Sequence, residues 1–501
     1  MKKYVLSLVA LALLATACKK GDPIDHPHFS NEDAATFSEI SSIKVGELGA
    51  AEITAFDPET NRLFVVTNSG SSRIDILDLS NPALPVLIGN ISITPYGGGV
   101  NSVSVSDGKL AAAVEGFVKT DPGKVVVFRT KDYKLIKEIP VGALPDMVTY
   151  SPDGEFILTA NEGEPNDSYT IDPVGSVSII EVKRNYAVQT IGFEAFTGKK
   201  DELLAKGLRI YGPNASFMQD IEPEYVAISQ DSRTAWVTLQ ENNGIAKIDI
   251  KSRKVTNIFP LGFKSFNLAE NAIDPSDRDG GINFNAWPVK ASYLPDGIGV
   301  FELWGKPYVF TANEGDAREY AGFVENKRVK DIVLNPAVFT DASLRTDAKL
   351  GRLNITTTLG NTDGDAKNFE ELYTGGARSF SVWNGNTGAL LFDSKNELDK
   401  SCAALGYYDD ARSDDKGVEP EGMTLGWVGK RPIAFVGMER ADAVAIYDIS
   451  QPTSPVLIKI LKTGDAPEGV TFVPACDSPT KKSLLIVSSE NDGVVKVYSV
   501  E

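Results

Sequence analysis

A carboxylate-bearing hexapeptide occurs twice in this chain, as Thr159-Ala160-Asn161-Glu162-Gly163-Glu164 and as Thr311-Ala312-Asn313-Glu314-Gly315-Asp316. Each follows a similar lead-in, Leu144-Pro145-Asp146 or Leu294-Pro295-Asp296, across an apolar, alternating run suited to two short strands and a turn. Carboxylates gathered this way suit hard cations. Ca²⁺ takes about six to eight oxygen ligands, and closely spaced Asp and Glu supply several from one segment.

Alignment on the doublet yields seven units. The lead-in position carries Glu52, Asn101, Asp146, Glu224, Asp296, Glu421 and Glu468. The second position carries Asn68, Glu115, Glu162, Glu241, Glu314, Glu439 and Glu490. In an antiparallel pair the start of the first strand lies beside the end of the second, so both positions fall at one mouth. So many carboxylates repel one another and shift their pKa values unless cations or arginines sit among them. The expected metal ligands are Glu162, Asp220, Glu222, Glu224, Asp277, Asp279, Glu314, Asp316, Glu421 and Glu439. Arg318, Arg378 and Arg412 are candidates for holding an anionic ligand; with Arg440 they explain the charge pattern equally well as internal ion pairs. Turn capping is the alternative for Asp220, Glu222 and Glu224, which alternate and so share a face if extended.

Two further stretches look like oxygen-rich loops. Asp274-Pro275-Ser276-Asp277-Arg278-Asp279-Gly280 spaces three carboxylates ahead of a glycine turn, and Asn361-Thr362-Asp363-Gly364-Asp365 does so more weakly. Neither has the full EF-hand pattern. Histidine is confined to His26 and His28, ahead of the first unit. The folded part therefore lacks a Ser-His-Asp triad, an imidazole base and a His-ligated zinc.

The elements that must position these groups are short strands. Four residues after each lead-in stands a large apolar residue (Phe56, Val105, Tyr150, Ile228, Val300, Leu425, Phe472), preceded by a smaller one (Ala55, Ser104, Thr149, Ala227, Gly299, Thr424, Thr471). That pattern marks a period-2 strand passing through a crowded place. A second and a third strand follow in each unit, and a fourth often ends in Val-Gly or its like, as at Val141-Gly142 and Leu261-Gly262. The pattern predicts an all-β, seven-bladed β-propeller. The last unit stops after three strands, and Ile43-Lys44-Val45-Gly46 carries the missing fourth-strand pattern, so the N-terminal strand is expected to complete the last blade. Insertions are expected at about 183–221, 263–293 and 320–377, largely as loop apart from a short helix near 201–206.

With 501 residues, 42% of them hydrophobic, the chain has ample core. A net charge of −18 opposes nucleic acid and favours cations or basic partners. Residues 1–17 read as an export leader ending Ala15-Thr16-Ala17 before Cys18, like a bacterial lipobox. Cys18 is then lipidated, 18–40 is a tether, and 41–501 is the propeller. An ordinary signal peptide is the alternative. The expectation is a monomer on the bacterial cell envelope, touching membrane only through its lipid, with a small ligand or envelope partner. Cys402 and Cys476 lack metal-site spacing, and the sequence leaves pairing and free thiols both open.

From about Ile43 onward the chain resembles the choice-of-anchor I family, related to mesenchyme-specific cell-surface glycoproteins. The resemblance rests on Asp220-Ile221-Glu222-Pro223-Glu224-Tyr225, Ser276-Asp277-Arg278-Asp279-Gly280, Ala312-Asn313-Glu314-Gly315-Asp316-Ala317-Arg318, Gly376-Ala377-Arg378-Ser379-Phe380 and Arg412-Ser413-Asp414-Asp415-Lys416-Gly417. It implies an exported propeller held by one of several anchors, and it carries no single reaction, although some relatives bear an alkaline-phosphatase label. Asn361 departs from the acidic residue expected there. Three functions follow: an envelope binding module with Ca²⁺ in its mouth, a Ca²⁺-dependent phosphoester hydrolase, or a scaffold without a site.

Overall fold

A computed structural model describes residues 31–362 and 368–501. The leader, Cys18, both histidines and the Asp363 and Asp365 carboxylates lie outside the described residues. Alternating apolar residues do build short antiparallel strands, as where Phe156–Asn161 pairs with Pro145–Tyr150 on one side and Ser176–Glu181 on the other. Among the described residues seven four-stranded antiparallel sheets result, matching the sequence units. Their first strands are Ala50–Asp57, Val100–Ser106, Pro145–Tyr150, Pro223–Ile228, Ile298–Leu303, Pro420–Val428 and Pro467–Val473. Each first strand packs against the next, and the last packs against the first. The chain is an all-β protein with a propeller arrangement. Apolar clusters lie between neighbouring sheets, one joining Phe64, Ile74 and Ile76 to Leu110, Val126 and Phe128.

The expected crowding along the inner strands is real. At Gly299 an added Cβ would meet Leu425 at 2.7 Å, and Thr54 Oγ1 lies 2.8 Å from Thr471 Oγ1 across the first and seventh sheets.

Ser38–Lys44 pairs antiparallel with Val494–Ser499, placing Ile43 opposite Val495 at the outer edge of the seventh sheet. Folded structure starts earlier than the expected tether boundary at residue 40. Phe37 is fully buried, its ring 5.5 Å from and perpendicular to that of Phe435, and Lys459 Nζ donates to its carbonyl at 2.7 Å. Phe37→Ala is expected to destabilise the protein by about 3 kcal/mol in denaturant titration, because the vacated ring volume is closed by sheet on both sides. A loss below about 1 kcal/mol would show that the segment is only draped on the surface.

The insertions differ from the expected loops. Ala187–Ile191 is the fourth strand of the third sheet, so that excursion begins after residue 191. The segments 263–293 and 320–377 fold together: Phe263–Ser265, Lys290–Ser292 and Tyr373–Thr374 form one sheet. Beneath it Phe266, Val289, Val329, Leu350, Leu353, Ile355 and Phe369 make a separate core. Their apolar residues are too widely and irregularly spaced to show a period. Lys200–Leu204 is helical as expected, whereas Glu397–Leu405, a helix stopped by Gly406 at φ 72°, carries no such expectation. Cys402 on it is a buried free thiol 3.7 Å from Met438 Sδ, so it does not pair with Cys476. None of the described helices is long and apolar enough to cross a membrane.

Candidate metal centre

Two backbone devices bring the marked residues together. The first is a β-bulge. The ladder slips at the lead-in position in six of the seven sheets, between Ala50 and Thr54, Val100 and Ser102, Pro145 and Val148, Pro223 and Val226, Pro420 and Met423, and Pro467 and Gly469. A bulged residue leaves the pleat and its side chain is re-aimed, here Glu52, Asn101, Asp146, Glu224, Glu421 and Glu468. The second is a left-handed turn just upstream, at Leu144, Leu294, Glu419 and Ala466 with φ between 45° and 58°. Its carbonyl accepts from the end of the second strand: Glu162 N to Leu144 O at 2.8 Å, Glu439 N to Glu419 O at 2.9 Å, Glu490 N to Ala466 O at 3.0 Å. Both marked positions of a unit are thereby tied to one mouth.

Asn101, Asp146, Glu224, Asp296, Glu421 and Glu468 line a cavity of about 120 Å³ where the inner strands converge. Burial holds Glu224, Asp296, Glu421 and Glu468 well above the usual carboxylate range, and each is pushed further by its acidic neighbours. Burial also lifts Asp146 to about 6, and Glu52 to about 7 against the hydrogen bond from Asn68.

Carboxylates approach most closely in two triads. Oxygens of Glu162, Glu222 and Glu241 lie within 4.8 Å of one another, and so do oxygens of Asp296, Glu314 and Glu421. In the first triad Glu222 Oε1 and Glu241 Oε2 are buried without a hydrogen-bond partner, and the residues are 1% and 7% exposed. Such oxygens cost free energy unless a cation or a proton meets them. Burial drives Glu162 and Glu241 far up and lifts Glu222 to about 7, although Arg318 pulls Glu222 back. Burial and the charges of Glu222, Glu162 and Glu241 push the Tyr320 hydroxyl up, and its ring lies 5.6 Å from that of Tyr169. A hydrogen bond from Gly322 N to Asp167 O at 2.7 Å fastens the hairpin of Glu319–Tyr320 and Phe323–Val324. All-oxygen donors with unspent lone pairs suit Ca²⁺ or another hard divalent ion.

The second triad differs. Glu314 Oε1 accepts from Lys416 Nζ at 2.8 Å, and Oε2 accepts from Gln240 Nε2 at 2.7 Å. Glu314, one of the expected metal ligands, is thus already satisfied from inside the protein. Asp316 is 62% exposed at the rim, 3.3 Å from the same ammonium. Glu439 pairs with Arg440 at 2.6 Å, yet burial lifts it to about 8.

Several expected site residues serve the fold instead. Arg318 is buried with Nε 2.9 Å from Glu222 Oε2, Nη1 on Asp220 Oδ1 and Nη2 2.9 Å from Asp220 O, so it cannot reach an external ligand. Asp220 is spent in the same knot, accepting also from Tyr211 N and Gly212 N. Arg378 at φ 53° donates to the carbonyls of Asp274, Ser413 and Asp415 at 2.7–2.9 Å, stitching the insertions to the sheets. Asp277 takes Arg352 bidentately and Asp279 Oδ2 accepts from Asn283, which braces the 274–280 loop, while Asp279 Oδ1 stays buried without a partner. Arg412 alone of the three arginines lines an open rim pocket of about 340 Å³, shared with Glu164, Asp316, Tyr320, Lys416 and Arg440. Glu241 and Asp296 enter the triads although the sequence marks them only as repeat members. Their recurring lead-in and second-strand positions are the signal that points to them.

The sequence model of the choice-of-anchor I domain matches residues 52–452. The chain belongs to the choice-of-anchor I family. Gigasin-3a of Magallana gigas is 30% identical over 193 residues, covering 32% of this chain and 67% of that protein. The mesenchyme-specific cell surface glycoprotein of Strongylocentrotus purpuratus is 25% identical over 334 residues, 56% of this chain but only 43% of the urchin protein. Among solved structures, a Kuenenia stuttgartiensis hydrazine synthase chain superposes with TM-score 0.51 at 15% identity, covering 91% of this chain and 96% of that one. The Cps50 (Swd1) β-propeller domain of Myceliophteria thermophila gives TM-score 0.44 at 9% identity, covering 93% and 100%. At these identities the likeness concerns fold alone.

Proposed function

We propose that this family member is a cell-surface β-propeller of seven blades, closed by Ser38–Lys44, whose acidic mouth binds Ca²⁺. The observation that carries the cation is the triad of Glu162, Glu222 and Glu241 with two buried, unpartnered carboxylate oxygens. A closed ring is supported by the pairing of Ser38–Lys44 onto the last strand and by the cyclic packing of first strands. Residence in the envelope through lipid on Cys18 belongs to the same proposal, in keeping with the family. The bound ion serves recognition, with the rim pocket around Arg412, Lys416 and Arg440 as the place where a small ligand or partner docks. Phosphoester hydrolysis finds less support, because Arg318 and Arg378 are buried and bonded to the protein itself.

Elemental analysis of purified protein and melting with Ca²⁺ or chelator test the cation. A ligand present at about 100 times its dissociation constant stabilises the folded state by about 2.7 kcal/mol, so the midpoint should rise by several degrees with Ca²⁺. Glu241→Gln, which replaces a carboxylate oxygen by an amide, is expected to abolish the rise. No bound metal together with identical melting in both buffers would sink the proposal.

A further inference from the structure

The two triads are matched in geometry, and each has one cationic side chain against it, but they differ in how many of their oxygens stay bare. The triad of Glu162, Glu222 and Glu241 receives only the Arg318 guanidinium, and that on Glu222 Oε2, which leaves Glu222 Oε1 and Glu241 Oε2 bare. The triad of Asp296, Glu314 and Glu421 has an ammonium seated against it. Lys416 Nζ lies 2.8 Å from Glu314 Oε1, 3.3 Å from Asp316 Oδ1 and 2.5 Å from Glu419 Oε1, and its side chain is 12% exposed. Gln240 takes the other Glu314 oxygen, so both oxygens of Glu314 are satisfied, and Glu421 Oε2 is the bare oxygen of this triad. Glu419 is in turn held by Arg412 and Arg440, each 3.2 Å from Oε2, so the lysine is gripped from both ends of a fixed network.

We propose that Lys416 is a tethered counter-ion for the second triad, so that the mouth takes one divalent cation, at Glu162, Glu222 and Glu241, instead of two. This rests on the cation reading above and adds its stoichiometry and the residue that sets it. An ammonium bonded to Glu314 repels an incoming divalent ion and takes up lone pairs of a carboxylate that such an ion would share with Asp296 and Glu421. A tethered charge also needs no ion from solution, so Glu314 keeps its counter-charge at any calcium concentration. Replacing the lysine by a neutral chain of similar length should convert a one-ion protein into a two-ion protein.

The test is calorimetric titration of the full chain with Ca²⁺, with bound metal counted by elemental analysis. Wild type is expected to bind one ion and Lys416→Met two, with the added ion lost again in the Lys416→Met, Glu421→Gln double variant. Lys416→Arg should stay at one. Glu314→Gln in the wild-type background should also leave one ion bound, which keeps the proposal testable if Lys416→Met does not fold. One ion in wild type and one in folded Lys416→Met overturns the counter-ion role and leaves the cation reading standing. Loss of the ion in Glu314→Gln, or two ions in wild type, overturns it as well. No ion in wild type overturns both.

Discussion

Arg318→Ala is expected to destabilise the protein by about 3–5 kcal/mol, the usual cost of removing one partner from a buried ion pair. The arginine is buried and faces two carboxylates that are equally buried, Asp220 and Glu222, with side-chain exposures of 1% or less. Deleting it strands both. Asp220 retains its bonds from Tyr211 N and Gly212 N, but Glu222 would keep no charged partner beside its already bare Oε1. The guanidinium is also packed 4.6 Å from the Tyr211 ring, contact that alanine forfeits. Lysine should rescue little, because a single ammonium cannot reproduce the fork that grips Glu222, the Asp220 carboxylate and its carbonyl together. The measurement is chemical denaturation of wild type, Arg318→Ala and Arg318→Lys. Unchanged stability in Arg318→Ala would return this residue to the candidates for ligand contact.

That knot marks the boundary of what the sequence discloses. The repeat is legible because strands alternate with period two and because the same acidic position recurs at each strand end, so the run of sheets and the meeting of Glu314 with Glu421 follow from spacing. The missing fourth strand of the last unit is legible for the same reason, as the observed pairing of Ile43 with Val495 fits. Partnership is not legible. Arg318 lies 98 residues from Asp220 and Lys416 lies 102 from Glu314; only the folded chain tells a committed ion pair from a free charge. The left-handed turns are hidden too, since Leu144, Leu294, Glu419 and Ala466 are not residues that advertise positive φ. The core of the insertions escapes because irregular segments bury their apolar residues without periodicity, which is the only signal a pattern search can use.

The chelated protein is expected to lose stability as pH rises from about 5.5 to 8.5, opposite to the usual behaviour of a protein with paired carboxylates. Burial places Glu52 and Glu222 near 7 and Glu439 near 8 in the folded state, against 4.5 when unfolded. A folded-state pKa raised above the unfolded value means that the native protein binds more protons across that window. Stability is then fully present below about 4.5 and falls as pH climbs through 7 and 8. Glu162, Glu224 and Glu241 are raised by the same burial and add to the slope. A tenfold difference in proton affinity between the folded and unfolded states corresponds to about 1.4 kcal/mol, and mutual repulsion is shared among neighbours, so the net loss over the window should be about 2–4 kcal/mol. Saturating Ca²⁺ replaces the protons on Glu162, Glu222 and Glu241, so their share of the loss should disappear while that of Glu52, Glu224 and Glu439 remains, and calcium affinity should fall steeply below about pH 7 as protons compete for the same oxygens. Denaturation at about pH 6 and about pH 8.5, with chelator and with Ca²⁺, separates the possibilities. Chelated protein that is more stable at the higher pH would mean that Arg318, Lys416 and Arg440 alone neutralise the mouth, leaving no charge for a cation to answer.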